Sequence, residues 1–511
     1  MKAANRVVFN TGILYTRMVI TIFITLYTTR IVLNALGVKD YGLFNVIGGL
    51  VSMLSFLNAA MTTSTQRYIS VNLGTKDLSK IKKVFANSVV LHFAIGILLV
   101  LLFEIVGLYF LNNQMKIDPE RLGAANYLFQ FVVVSTFISI ISVPYDAVIN
   151  AHENMIFLAI TAILETILKL LVGFYLFYTD ADKLLVYGLL MMVVAIIIRL
   201  IKRVYSHRKY QECHVNYKSE FDKVLIKELT SFAGWNLFGV LCYIFRTQGI
   251  AVVLNLFFST IVNAAYGVAS QVNSQLASFS QTMMQSLAPQ MMKSEGEGNR
   301  EKLLKLSIIA GKFSFILFSF FALPAFIEIE WILKMWLKNV PEYTIIFCRS
   351  IIVLTLVNQL NMGIMTAVQS MGRIKVYQAV AGSIQLLTLP VGYVFLKFGY
   401  PPYSIVIVSI FLEVISTIFR VFYFRYLSGF PVSRYFREVF LSCFVPFLLT
   451  FISLYYMHSL ILLNDMFRAL IVILSSVAIY SVAIYLLGIN KEEKFFITSA
   501  ILQLKNKFSK K

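Results

Sequence analysis

Residues 14–33 read LYTRMVITIFITLYTTRIVL. The run is apolar and long enough to cross a bilayer, for which a helix needs about 20 residues. Yet it carries Arg17 and Arg30. An arginine at mid-bilayer costs roughly 2.5–3.5 kcal/mol even on insertion scales. The stretch therefore predicts a membrane-spanning helix whose polar residues serve a purpose.

The same apolar character recurs outward from it. Of 511 residues, 59% are hydrophobic and only 14% are charged, and the mean hydropathy is +0.77. A soluble fold of this length needs far more polar surface. A cleaved secretory signal is excluded too, because the first run is too long and lacks a small-residue cleavage site. The chain reads as an all-α polytopic membrane protein with fourteen spans. Their limits fall near 11–35, 42–66, 84–111, 123–146, 155–178, 184–204, 231–257, 262–288, 304–331, 343–369, 376–398, 403–426, 437–459 and 467–488.

Charge sets the orientation, since basic loops stay in the cytoplasm. Lys76, Lys80, Lys82, Lys83, Lys202, Arg203, Arg208, Lys209, Lys218, Lys223, Lys227, Lys293, Arg300, Lys302, Lys305, Arg434 and Arg437 fall on one side. So do the tail residues Lys491, Lys494, Lys505, Lys507, Lys510 and Lys511. The other side holds one or two per loop, such as Lys39, Lys116, Arg121, Lys183, Lys334, Lys338, Lys397 and Arg468. Both termini are expected to be cytoplasmic, in a cytoplasmic (inner) membrane. The formal charge of +20 is then explained by loops facing anionic lipid rather than nucleic acid.

Soluble chemistry finds little support. Cys213, Cys242, Cys348 and Cys443 show no CxxC spacing, and the five histidines form no zinc pair. Only Cys213 falls in a polar loop, beside His214, and the other three read as buried and inert. No GxxxxGK[ST] phosphate loop is present. No outward loop is long enough for a catalytic domain, so an enzyme is disfavoured, as is a scaffold. The sequence implies no cofactor and no metal.

Weak echoes suggest a duplication. Val32-Leu33-Asn34 returns as Val253-Leu254-Asn255, and Tyr41-Gly42 as Tyr266-Gly267. Gly74-Thr75-Lys76-Asp77 returns as Gly298-Asn299-Arg300-Glu301. The three are collinear and share topological positions. The expected organisation is two pseudo-symmetric six-helix halves, 1–204 and 231–427, around a central cavity, joined by a cytoplasmic linker at 205–230. Helices thirteen and fourteen, 437–489, would be an appendage before a basic cytoplasmic tail at 490–511.

Polar faces mark the candidate site. At 100° per residue, Arg17, Thr21, Thr25 and Thr28 share one face of span one, which Asn10 extends. Arg30 lies roughly 140° round the helix, near the outer end, where it can snorkel to headgroups. Span two carries Ser55, Asn58, Thr62 and Thr65. Span eight, its repeat partner, carries Gln271, Gln275, Ser278, Thr282 and Gln285. Five such residues along one helix suit a water-filled lumen better than interhelical bonding alone. Span ten adds Asn358, Gln359, Asn361, Thr366 and Gln369.

Arg246 lies near the middle of span seven. Shifted by the Val-Leu-Asn offset it lands on Thr25, so the duplication predicts that it too faces the lumen. The alternative is an ion pair with a buried acid such as Glu104 or Glu165. Glu165 precedes Lys169 by four residues, the favourable helical pairing. Glu104 has no local partner. These two acids are the sites at which a coupling ion, H+ or Na+, would act. Arginine, amides and hydroxyls together suit an anionic, hydroxyl-rich substrate.

Three segments resemble a known family. RIVLNALGVKDYGLFNV (30–46) is similar to the opening of bacterial polysaccharide flippases of the O-antigen, or Wzx, type, members of the MATE-like MOP superfamily. VPYDAVINAHENM (143–155) looks like the end of their fourth span. AAYGVASQVNSQLASFSQTMMQSLAPQMMKSEGEGNREKL (264–303) resembles their eighth span and the loop after it. The resemblance implies a transporter that flips an undecaprenyl-pyrophosphate-linked oligosaccharide for surface polysaccharide assembly, by alternating access. It implies a lipid-linked anionic glycan as substrate and glycan polymerase machinery as a partner. Arg17 corresponds loosely to arginines in the first helix of lipid II flippases. An ion-coupled multidrug or small-solute antiporter on the same fold is the competing reading.

Overall fold

The computed structural model describes residues 3–52, 55–115, 117–258, 260–337, 339–461, 464–491, 493 and 494. Lys116, Lys338 and the tail lysines from Lys505 onward lie outside them, as do the side chains of Ser55 and Asn58. The described residues form helices and turns and no strand. An apolar run in a bilayer must satisfy its backbone internally, and a helix does so.

α1 (Ala3–Ser52) is broken at Gly37, whose φ of 75° and ψ of 169° end one helix and start another. No Cβ clash requires glycine there. The backbone does, because L-residues avoid that region. α2 (Ser55–Thr75) follows. α3 (Leu78–Asn113) starts at Asp77, whose carboxylate accepts the Lys80 amide at 3.1 Å, and contains a π-turn at Phe103–Gly107. α4 (Pro119–Ala151) and α5 (Met155–Tyr175) come next. α6 (Lys183–Lys209) is capped by Asp182, which accepts from the Leu184 and Leu185 amides. α7 (Lys223–Phe257) and α8 (Thr260–Gly296) are the long pair. Then come α9 (Arg300–Ile327), α10 (Ile329–Leu337), α11 (Thr344–Leu360) and α12 (Met362–Met371). α13 (Ile374–Lys397), α14 (Ser404–Ser428), α15 (Val432–Leu460) and α16 (Asp465–Gly488) complete the chain.

Among the described residues, eleven helices are long and apolar enough to span a membrane, or twelve if α11 and α12, bent by 42°, are one span. The fourteen expected spans exceed that count for two reasons. The first helix on that count, Phe9–Gly49, crosses the Gly37 break and so holds span one and the start of span two. α2 and α8 fall short because hydroxyls and carboxamides dilute their apolar runs. These are the two helices that the repeat pairs with each other.

The chain divides into two compact units. The N-terminal unit holds Phe9–Leu237 and Met292–Gly298. The C-terminal unit holds Met1–Val8, Phe238–Met291 and the chain from Asn299. One division between them falls inside α7, between Leu237 and Phe238. Residues 223–237 pack with the N-terminal helices. The Leu229 carbonyl accepts from the buried Ser64 hydroxyl at 3.2 Å, and Phe232 meets Tyr68 edge-on at 5.9 Å. The linker itself is built into the unit. Asn87 donates to the Glu220 carbonyl at 2.7 Å, and both Tyr210 and Cys213 are buried. Cys213, expected in a polar loop, is 1% exposed, and burial pushes its thiol pKa up.

Three apolar clusters hold the N-terminal unit. Ile47, Leu99, Phe103, Leu128, Phe129 and Leu184 join α1, α3, α4 and α6. Val32, Val172, Leu176, Tyr187 and Ile198 join α1, α5 and α6. Ile69, Phe85, Tyr145, Val148 and Tyr210 close one end. At that end α2 and α8 cross with backbones in contact. A Cβ on Gly74 would lie 2.3 Å from the Lys293 carbonyl oxygen, and one on Gly296 1.9 Å from that of Val71. The following turns share one plan. Lys76 (φ 59°) precedes the cap Asp77, and Gly298 (φ 70°) precedes the cap Asn299. Asn299 accepts the Lys302 amide at 3.0 Å. Backbone geometry therefore matches Gly74 with Gly296, two residues from the Gly74–Gly298 match of the sequence echo.

In the C-terminal unit, Ile250, Leu254, Val262, Phe347, Ile351 and Ile405 form the main core. α15 and α16 pack on α9 through Ile316, Leu323, Leu454, Val472 and Tyr480. Two ion pairs fasten them. Lys312, 1% exposed, meets Glu493 at 2.6 Å. Glu328 takes Arg468 through both carboxylate oxygens, at 3.3 and 3.2 Å.

Candidate functional site

The C-terminal unit contains a buried ionic triad within its spanning helices. Arg246 on α7 is 3% exposed, and its Nη1 donates to Glu413 Oε2 at 3.1 Å. Arg420 Nη1 donates to Glu413 Oε1 at 2.6 Å. Glu413 and Arg420 are seven residues apart, two turns along one face of α14. The Glu413 side chain is 0% exposed. Aromatic rings flank both cations: Arg246 lies 5.4 Å from the Tyr243 ring and Arg420 5.9 Å from that of Tyr377. One carboxylate between two guanidinium groups leaves a net positive charge. The Arg420 Nε has no hydrogen-bond partner among the described residues.

Arg246, expected on a lumen face, is thus buried in an ion pair. Its acid is Glu413, and neither Glu104 nor Glu165. Glu413 and Arg420 escaped the sequence reading, although an acid and a base seven residues apart inside an apolar run already placed them on one face.

The polar residues of span ten serve the same packing. Asn361, at the α11–α12 break, donates to Thr417 Oγ1 of α14 at 2.7 Å. Thr366 and Gln359 are buried. α8 is different. Gln271, Gln275 and Gln285 are exposed, and their carboxamides make no hydrogen bond among the described residues. Thr282 is buried and donates to the Ser278 carbonyl at 2.8 Å, and Ser278 in turn donates to the Gln275 carbonyl at 2.6 Å. The glutamines form an open carboxamide row, whereas the hydroxyls are tied to their own helix.

In the N-terminal unit, Arg17 is half-buried on α1. It makes no ion pair or hydrogen bond among the described residues. Its stripe is not uniform. Thr21 is half-buried and donates to the Met18 carbonyl at 3.0 Å, Thr25 is exposed, and Thr28 is buried and donates to the Ile24 carbonyl. Asn10 is buried and donates to the Glu153 carbonyl at 3.4 Å, so it does not extend an open face. Arg30 is exposed, 13 positions on. Thr62 is half-buried, Thr65 is buried, and the Asn58 side chain lies outside the described residues.

The two acids differ. Glu165 pairs with Lys169 at 2.6 Å, each 38% exposed. Glu104 sits in the π-turn of α3, and its Oε2 accepts from Gln130 at 3.1 Å. Its neighbour is an amide, not an arginine. Such turns occur often at functional positions. Among the described residues, no group of three or more His, Cys, Asp or Glu could hold a metal.

The candidate residues therefore fall into two sets. Arg17, Thr21, Thr25, Thr62, Glu104 and Glu165 belong to the N-terminal unit, and Arg246, Gln271, Gln275 and Thr282 to the C-terminal unit. In both sets cationic residues outnumber acidic ones in the first spanning helix. Ionisable groups at membrane depth are rare and mark transport paths by default.

No known family profile matches the chain, and no curated protein does. Solved structures do. A MATE transporter in the straight conformation is 15% identical, with TM-score 0.69 over 85% of this chain and 97% of that one. An outward-facing multidrug-resistance MATE transporter of the MOP superfamily is 14% identical, with TM-score 0.68 over 85% and 99%. A MOP superfamily transporter from Pyrococcus furiosus is 13% identical, with TM-score 0.68 over 85% and 99%. That protein is described as having a binding pocket of reverse polarity that suggests a different function. At such identities the likeness establishes the fold, the helical bundle of MATE transporters.

Proposed function

We propose that this protein flips a lipid-linked anionic oligosaccharide, carried on undecaprenyl pyrophosphate, across the cytoplasmic membrane for surface polysaccharide assembly. One observation carries the reading: cation exceeds anion within the spanning helices. Arg17 has no anion among the described residues, and the Arg246–Glu413–Arg420 triad keeps one positive charge. A guanidinium without a carboxylate suits phosphate oxygens, which it can hold through two parallel hydrogen bonds. The open row of Gln271, Gln275 and Gln285 offers donors and acceptors for sugar hydroxyls. A pump for hydrophobic cations needs the opposite polarity.

The antiporter reading draws support from the fold alone, since a multidrug transporter is among the structural neighbours. The neighbour with a pocket of reverse polarity supports the view that this fold is not tied to drug export. The flippase works by alternating access and without catalysis, with both termini in the cytoplasm. Glu104 is the better place for a coupling proton, because Glu165 is held by Lys169.

Reconstituted proteoliposomes supplied with a fluorescent lipid-linked oligosaccharide test this. Protein-dependent transfer to the outer leaflet, without transfer of cationic dyes, is the expected result. Dye efflux without glycan-lipid transfer would replace the flippase with the antiporter.

A further inference from the structure

We propose that the start of α7 carries a headgroup site for an anionic phospholipid. A groove of 530 Å³ lies there, lined by Phe221, Lys223, Ile226, Lys227, Thr230 and Ser231. Steps of three, one, three and one put the last five on a single helical face. Lys223 and Lys227 are therefore neighbours one turn apart. Like charges at that spacing repel, and among the described residues neither lysine has a hydrogen bond or ion pair.

No nearby acid pairs with either lysine among the described residues. Asp222 caps the helix, accepting the Val224 and Leu225 amides at 2.9 and 3.1 Å. Glu228 lies on another face of the helix. Glu220 precedes the groove, and its backbone carbonyl, not its carboxylate, accepts from Asn87. Two cations thus face one groove with no anion of their own, beside the hydroxyls of Thr230 and Ser231.

The surroundings favour a lipid over a free ion. Phe221 is 47% exposed and Val224 69% exposed. They stand where the chain passes from the polar segment at 205–222 into a spanning helix, the depth of headgroups. Exposed apolar residues beside lysines are the pattern of an interfacial anchor. Charge complementarity selects an anionic headgroup, and the apolar neighbours select one that carries acyl chains. The site is independent of which substrate is transported.

The test uses the full-length protein in detergent with phosphatidylglycerol and phosphatidylcholine, read by native mass spectrometry. Wild type should retain phosphatidylglycerol over phosphatidylcholine. Lys223→Gln with Lys227→Gln should lower that retention at least tenfold. Lys223→Arg with Lys227→Arg should keep it, and Lys82→Gln with Lys83→Gln should leave it unchanged. Phe221→Ala should weaken retention of the lipid. Equal retention in the Lys223/Lys227 glutamine variant would overturn the proposal. So would an equal loss in the Lys82/Lys83 control, or displacement of the lipid by millimolar inorganic phosphate. Preference for undecaprenyl phosphate over phosphatidylglycerol would reassign the groove to the carrier lipid and also overturn it.

Discussion

Arg17 and Arg246 occupy comparable places, each inside the first spanning helix of its half of the sequence. Their surroundings are opposite. Arg17 is half-buried and lacks an anion among the described residues. Arg246 is 3% exposed and shares Glu413 with Arg420. The difference teaches what an arginine in a span is for. Removed from water and paired, it is part of the core, because an unpaired buried charge is too costly to keep. Left open, it keeps its donors unused within the described residues.

Removing Glu413 should have the largest effect. Glu413→Gln leaves two guanidinium groups in the interior without a carboxylate, at a cost of about 3–5 kcal/mol. Thermal unfolding in detergent should show a large drop in Tm. An unchanged Tm would mean that the triad is hydrated and that its likeness to a packed core is false. Arg17→Ala should lie at the other pole, with Tm held and glycan-lipid transfer down at least tenfold, about 1.4 kcal/mol. Arg17→Lys should restore transfer partly if charge suffices, and poorly if the planar fork is needed. Wild-type transfer by Arg17→Ala would break the contrast altogether.

Gly37→Ala tests whether the half holding Arg17 depends on its break. The residue would be held at φ 75° and ψ 169°, a strain of roughly 1–3 kcal/mol. The measurement is again Tm, and an unchanged value would show that the break relaxes. The smallest effect belongs to Glu165→Gln. Its pair with Lys169 is 38% exposed on each side, so its loss should lower Tm less than loss of the buried Glu413. A loss of transport with Tm intact would make Glu165 a coupling site instead.

The sequence disclosed the membrane fold because periodicity and apolar length are local properties. It disclosed the Glu165–Lys169 pair for the same reason, four residues on one helix. Glu413 as the partner of Arg246 lay 167 positions away, and helical phase assigns a face without assigning the neighbour on that face. The repeat predicted an open Arg246 because duplication preserves position, not exposure. The glycine echo sits two residues from the backbone match, because the left-handed turn and its cap set the register and residue likeness does not. The carboxamide row of α8 was legible because glutamine inside an apolar helix is conspicuous wherever it points. Its hydroxyls were less so, because Ser278 and Thr282 bond to their own backbone.

The crossing of Gly74 with Gly296 bears on how the protein is made. Residues 292–298 belong to the N-terminal unit, so that unit lacks one of its own pieces while the ribosome is still far upstream. At about 5–20 residues per second, more than two hundred residues separate the two glycines by roughly 10–45 s. During that interval Gly74 presents a backbone groove with nothing in it, and other helices inserting nearby could fill it. A pause or a dedicated insertase during that window would guard the vacancy, and a split gene cut at 205–230 would leave the first product permanently unfinished.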